Sequence, residues 1–239
     1  MASRDLTVEE LAIFLHITPE QVNKLASRDK LPGRRIKGHW RFSESEIHHW
    51  MEDKIGESSI EDLLKVEEML NRSPRDFNVP VSLVDFMFEE AISIPLPART
   101  RNSVVREMCE LVSRTGLMWN TDEMIEAVAA REQLHPTALE NGVAMLHPRR
   151  PRSSILAQPI IALGISSQPI PFGNRAGYLT DVFFLICSTD DSIHLKILAR
   201  LSRLISDPKW LQQLRSAALP SEVLELVKSG EQAMSPIGA

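Results

Sequence analysis

The sequence predicts an α/β protein, a sheet with flanking helices, preceded by a small helix-turn-helix module that carries a hairpin wing. Three observations predict it. A chain of 239 residues, 43% hydrophobic and 25% charged, has globular composition and length enough for two modest cores. Three helix starts are marked by side-chain chemistry near the amino terminus. Beyond residue 80, apolar runs of helical and of strand-like period alternate.

Thr7, Thr18 and Ser43 each precede a Glu or Gln by three positions, as Glu10, Gln21 and Glu46, which is the spacing of a capping box. An apolar residue before each cap (Leu6, Ile17, Phe42) and another at the fourth helical position (Leu11, Val22, Ile47) form a hydrophobic staple. Pro19 at the first helical position reinforces the second start, and the short Leu15 to Ile17 connection gives a helix-turn-helix layout. Leu31-Pro32-Gly33 then breaks the chain, and Arg35 to Phe42 is expected to form a hairpin turning at Lys37-Gly38. Trp40, Phe42 and Trp50 sit beside cap or staple positions and are expected in the core of this module.

The formal charge of -5 excludes a protein that is basic throughout, yet it hides a local asymmetry. Between Val22 and Arg41 stand Lys24, Arg28, Lys30, Arg34, Arg35, Lys37 and Arg41 against the single acid Asp29, whereas Glu44 to Glu68 is dominated by carboxylates. Such a face suits a polyanion; a merely solvated face or a protein-binding module are the alternatives. The runs Leu6-Thr7-Val8-Glu9-Glu10-Leu11-Ala12, Leu31-Pro32, Trp40-Arg41-Phe42 and Trp50 resemble the excisionase and MerR-type winged helix-turn-helix. The resemblance implies DNA as a partner, with Asn23, Lys24 and Arg28 near bases or phosphates and Arg35, Lys37 and Arg41 on the wing.

The module is expected to span residues 1–54, followed by an acidic linker helix over 55–79 on which Ile60, Leu63, Leu64, Met69 and Leu70 form an apolar stripe. That stripe packs within the chain or pairs with a second copy, so a homodimer is one of two readings. A domain over 80–230 and a tail over 231–239 complete the expected organisation. In the domain, Val104, Val105, Met108, Leu111 and Val112 mark a helix closed by Gly116, and Thr121 opens another carrying Ile125, Val128 and Ala129. Strand-like runs follow at Gly142 to Leu146, Pro159 to Ile165 and Asp181 to Ser188. A helix through Ile193, Ile197, Leu201 and Leu204 stops at Asp207-Pro208.

Cys109 and Cys187, each inside an apolar run, read as small buried hydrophobes without disulfide or metal chemistry. His48 and His49 are adjacent on a helix and point to different faces, which disfavours a shared metal. No run approaches the roughly 20 apolar residues of a membrane span, and the expectation is a cytoplasmic protein without membrane or cofactor.

His147, just after a strand, and His194, at the start of the following helix, are the chemical candidates, although a histidine taken singly marks no chemistry. The run Arg131-Glu132, then Asn141 to His147, resembles the active segment of phosphotransferase-system enzyme IIA of the fructose, mannitol and nitrogen-regulatory (PtsN-like) type. Ile161 to Gly164, Pro169 to Gly173, Val182 to Leu185 and Ile193 to Ala199 follow that family in order. The resemblance implies a mixed sheet with flanking helices. It makes His147 the nucleophile that takes phosphate from the histidine-containing phosphocarrier protein, with His194 and Arg131 in support. A neutral imidazole, with an unperturbed pKa of about 6.5, is nucleophilic at cytoplasmic pH, and phosphoryl transfer depends on alignment and charge stabilisation rather than on a metal. Arg131 can donate two hydrogen bonds to phosphoryl oxygens, and the first-turn amides of the His194 helix are expected to point positive charge at them. The family usually has proline before the active histidine and glycine or alanine after it; here Leu146 and Pro148 stand there, with Arg149, Arg150 and Arg152 close by.

The function implied is a phosphorylation-responsive regulator that binds DNA. Two rivals stand beside it: a phosphocarrier serving a separate enzyme IIB in sugar uptake, and a module that senses a ligand or partner without phosphate.

Overall fold

Two of the anticipated capping boxes, those at Thr7 and Thr18, close in full. Thr7 Oγ1 accepts from the Glu10 amide and Glu10 returns the bond to the Thr7 amide, and Thr18 and Gln21 repeat the exchange. They start helices α1 (Val8–Phe14) and α2 (Pro19–Ala26). The structure, a computed structural model, describes residues 5–15, 17–57, 81–173 and 176–234, and the chain divides into two units between Pro80 and Val81. The expected linker helix lies almost entirely outside the described residues.

In the first unit, strand β1 (Asp5–Leu6) and the hairpin strands β2 (Arg34–Ile36) and β3 (His39–Ser43) form an antiparallel sheet in the order β1-β3-β2. The hairpin turns at Lys37 and Gly38, both at positive φ (51° and 86°), as a two-residue turn matched to strand twist requires. Helix α3 (Glu44–Glu57) follows directly, with Ser43 at its amino end and Ser43 Oγ 3.0 Å from Ser45 Oγ. Leu11, Val22, Leu31, Phe42, Ile47 and Met51 make the core. Phe42 is fully buried as expected, but Trp40 and Trp50 are only half-buried.

The second unit is built on a mixed four-stranded sheet, order β4-β6-β7-β5, from β4 (Met87–Ser93), β5 (Val143–Leu146), β6 (Ile160–Pro171) and β7 (Leu179–Cys187). The central pair β6/β7 is antiparallel, and the outer pairs β4/β6 and β5/β7 are parallel. Alternation along the strands separates two faces. Ala144, Leu146, Ala162, Phe183 and Leu185 turn to a core shared with helices α4 (Arg101–Arg114) and α5 (Thr121–Leu134). Met145 turns the other way, where Ser202 of α6 (Asp191–Ile205) meets its sulfur at 3.6 Å. Helices α7 (Pro208–Ser216) and α8 (Pro220–Met234) pack with α6, and α8 also packs on β4. With both faces covered, β5 and β7 read as continuous apolar runs, and each fully buried Leu or Phe contributes about 1.5–3 kcal/mol.

Three features of this unit have local causes. Strand β4 carries Glu89 and Glu90 exposed at the sheet edge, which breaks its apolar pattern. Helix α5 opens at Thr121 as expected, and Asn120 before it is the cap, its side chain accepting from the Glu123 amide. The boundary expected at residue 230 falls inside α8. There Glu231 is buried, paired with Arg200 at 2.5 Å and accepting from the Leu83 amide at 2.9 Å.

Candidate functional site: two facing histidines at the ends of parallel strands

Strands β5 and β7 run parallel in register, Leu146 beside Leu185, so their carboxyl ends emerge side by side. The residue after β5 is His147. The residue after β7 is Ser188, and α6 begins three positions on at Asp191, putting His194 in its first turns. The crossing of chain ends at the carboxyl edge of parallel strands is where α/β sheets commonly place functional side chains.

The two imidazoles meet there, with ring centroids 5.0 Å apart and planes at 60°. Each histidine is only 3% exposed, and Nε2 of each ring is closed to solvent. His147 Nδ1 lies 2.9 Å from the carbonyl oxygen of Met145. A carbonyl can only accept, so Nδ1 carries the proton and a neutral ring holds its lone pair at Nε2. His194 Nδ1 lies 3.2 Å from the buried hydroxyl of Ser188.

Arg131 is buried on the last turn of α5, and its Nη1 donates to the His135 carbonyl at 2.6 Å. The segment that follows is tied to β5: Ala138 bridges Ala144, and the Met145 amide donates to the Thr137 carbonyl at 3.5 Å. Arg131 therefore belongs to the framework of the strand that ends in His147. Glu132, next to Arg131 in the sequence, is 1% exposed and anchors this framework. Its carboxylate accepts from the Thr137 hydroxyl, from the Thr137 amide at 3.3 Å and from Arg101 at 3.2 Å. Arg101, 31 residues earlier, also donates to the Glu132 carbonyl and lies over the Phe172 ring at 5.6 Å. Nothing local in the sequence pairs Arg101 with Glu132.

Other charges expected around His147 are partly committed elsewhere. Arg149 and Arg150 are exposed, whereas Arg152 pairs with Glu123 at 3.3 Å and its amide donates to the Ser188 carbonyl at 3.0 Å. The positive end of α6 is offset as well. The Asp190 carboxylate occupies the Ile193 amide at 2.9 Å, and Asp191 stands in the first turn, so the helix terminus supplies less field to an anion than the sequence suggested. Pro148 is buried, as are Cys109 and Cys187; burial pushes the Cys109 thiol up to about 12 and holds the Cys187 thiol well above its ordinary value.

In the first unit, Asn23 and Lys24 are exposed on α2 and Arg28 on the turn after it, opposite the buried Val22 and Ala26. Arg35 lies over the Trp40 ring at 4.9 Å, Lys37 is at the hairpin tip, and Arg41 donates to the Trp40 carbonyl at 3.0 Å. Arg34 is held by both oxygens of Asp5, at 2.9 and 2.8 Å.

Residues 6–54 match a family described as helix-turn-helix domain. Residues 85–230, more than half of the chain, match the family described as phosphoenolpyruvate-dependent sugar phosphotransferase system, EIIA 2. A nitrogen regulatory protein of Bradyrhizobium diazoefficiens is 30% identical over 139 residues, covering 56% of this chain and 87% of that protein. The fructose-specific EIIABC component of Bacillus subtilis is 21% identical over 154 residues, 64% of this chain but only 24% of that protein's length. Among solved structures, the nitrogen regulatory protein IIA-Ntr from Neisseria meningitidis superposes with a TM-score of 0.55 at 20% identity, over 60% of this chain and 97% of that one. The mannitol IIA of Escherichia coli does so with a TM-score of 0.52 at 21% identity, over 58% and 96%. No helix among the described residues is long and apolar enough to cross a membrane. With the mixed sheet, its flanking helices and the two histidines at its edge, the chain belongs to the phosphotransferase-system EIIA type 2 family, joined here to a helix-turn-helix domain.

Proposed function

We propose that the protein is a phosphorylation-responsive regulator: His147 accepts a phosphoryl group in the cytoplasm from the histidine-containing phosphocarrier protein, and the amino-terminal domain binds DNA. The observation that carries this reading is the paired imidazoles, with His147 Nδ1 held on the Met145 carbonyl so that Nε2 is the nucleophilic nitrogen. In transfer, His147 Nε2 bonds to phosphorus as the donor's nitrogen-phosphorus bond breaks and its electron pair returns to the donor imidazole. His194 stabilises the phosphoryl oxygens, the kind of contribution on which such a loose transition state depends most, and Arg131 supports it by holding the strand end that presents His147. Exposed Asn23, Lys24 and Arg28 supply the DNA contacts of α2, and Lys37, Arg35 and Arg41 those of the wing. The nitrogen regulatory relatives favour regulation; the EIIABC relatives support onward transfer to a separate enzyme IIB as a further outlet.

A second reading has its own observation. Nε2 of His147 is closed to solvent and buried Pro148 follows it, so transfer requires the site to open. A domain that keeps this arrangement without taking phosphate would sense a ligand or partner instead.

Incubation with phosphoenolpyruvate, enzyme I and the phosphocarrier protein, followed by intact-mass measurement, separates the two. One acid-labile phosphate on wild type, absent from His147→Ala, is expected. No phosphate on wild type would leave the sensing reading in possession.

A further inference from the structure

We propose that Ser188 is a positioning residue for phosphoryl transfer, fixing His194 in the form that donates from Nε2. This rests on His147 being the phosphoacceptor. The two imidazoles must play opposite parts: His147 offers a lone pair, whereas a neutral His194 can stabilise phosphoryl oxygens only if its Nε2 carries the proton. A ring with its proton on Nε2 must accept at Nδ1, and the hydroxyl 3.2 Å from that atom can donate. The Met145 carbonyl, which only accepts, dictates the tautomer of one ring, and the Ser188 hydroxyl, which can donate, is matched to the complementary tautomer of the other, 5.0 Å away.

The placement of Ser188 is rigid. It is 1% exposed and follows β7 directly. Its carbonyl accepts from the amide of Arg152, in the segment that leaves His147, so the chains bearing the two histidines are joined at this residue. A serine chosen for packing alone would need neither bond.

The test uses the full chain labelled with nitrogen-15, as wild type, Ser188→Ala and Ser188→Thr. Imidazole nitrogen spectra report the tautomer of His194, and the phosphocarrier reaction reports the initial rate of phosphate uptake. Ser188→Ala is expected to lose the Nε2-protonated form and to slow uptake about tenfold, the order of one lost hydrogen bond, while Ser188→Thr retains both. Equal rates in Ser188→Ala and wild type would overturn the proposal. So would a slowed Ser188→Ala whose His194 tautomer is unchanged, because the slowing would then come from packing. Absence of phosphate on wild type is failure of His147 as acceptor instead, and in that case the tautomer comparison alone still decides whether Ser188 governs His194.

Discussion

At the scale of single residues, the site is an arrangement of hydrogen-bond directions. Met145 contributes only a backbone carbonyl, which makes its part invisible in any list of side chains, yet that carbonyl decides which ring nitrogen of neutral His147 keeps its lone pair. Glu132 acts at one remove, holding Thr137 and Arg101 around the end of the helix that bears Arg131. Because its carboxylate is buried and shared by several donors, Glu132→Ala leaves Arg101 and the Thr137 amide without their acceptor and should destabilise the second unit by roughly 2–4 kcal/mol. Urea unfolding checks this; a loss under about 0.5 kcal/mol, the size of an ordinary surface change, would mean that the network is not structural.

At the scale of elements, the helices with side-chain signatures were legible and the sheet partners were not. Thr7 with Glu10, and Thr18 with Gln21, announce their helices because both members of each box lie within one turn. The Lys37-Gly38 turn is equally local. Strand β1, two residues paired to Phe42 and Ser43, exists only through that distant pairing, and the place of β4 at the sheet edge depends on β6 more than 60 positions away. His147 and His194 stand out in the sequence through a family pattern, whereas Glu132 gains Arg101 only when the chain folds, and Ser188 reaches His194 only across the turn between β7 and α6. The wing shows the same limit: its basic count overstates its free charge, since Arg34 is spoken for by Asp5. The DNA reading therefore falls most heavily on α2 and the turn beyond it. Lys24→Ala and Arg28→Ala should each weaken binding across sequences and reduce the slope of log affinity against log salt by about 1. Fluorescence anisotropy at several salt concentrations measures this, and unchanged slopes would remove both residues from the interface.

At the scale of the whole molecule, two domains of separate ancestry and chemistry share one chain, joined by a segment rich in carboxylates. Phosphate on His147 adds about -1.5 to -2 charges at neutral pH, enough to reorganise contacts with the exposed Arg149 and Arg150 or to repel an acidic segment. On the proposed function, such coupling would let the phosphate state of His147 alter occupancy of DNA. The most direct test takes DNA fragments selected from a random pool by the full chain. Affinity is then compared at fixed salt for phosphorylated wild type, unphosphorylated wild type and His147→Ala treated with the phosphorylating mixture. The account predicts that phosphorylated wild type differs from the other two, by about fivefold or more if the coupling is of ordinary allosteric size, and that these two agree. Identical affinities for all three, with phosphate verified on His147, would contradict it.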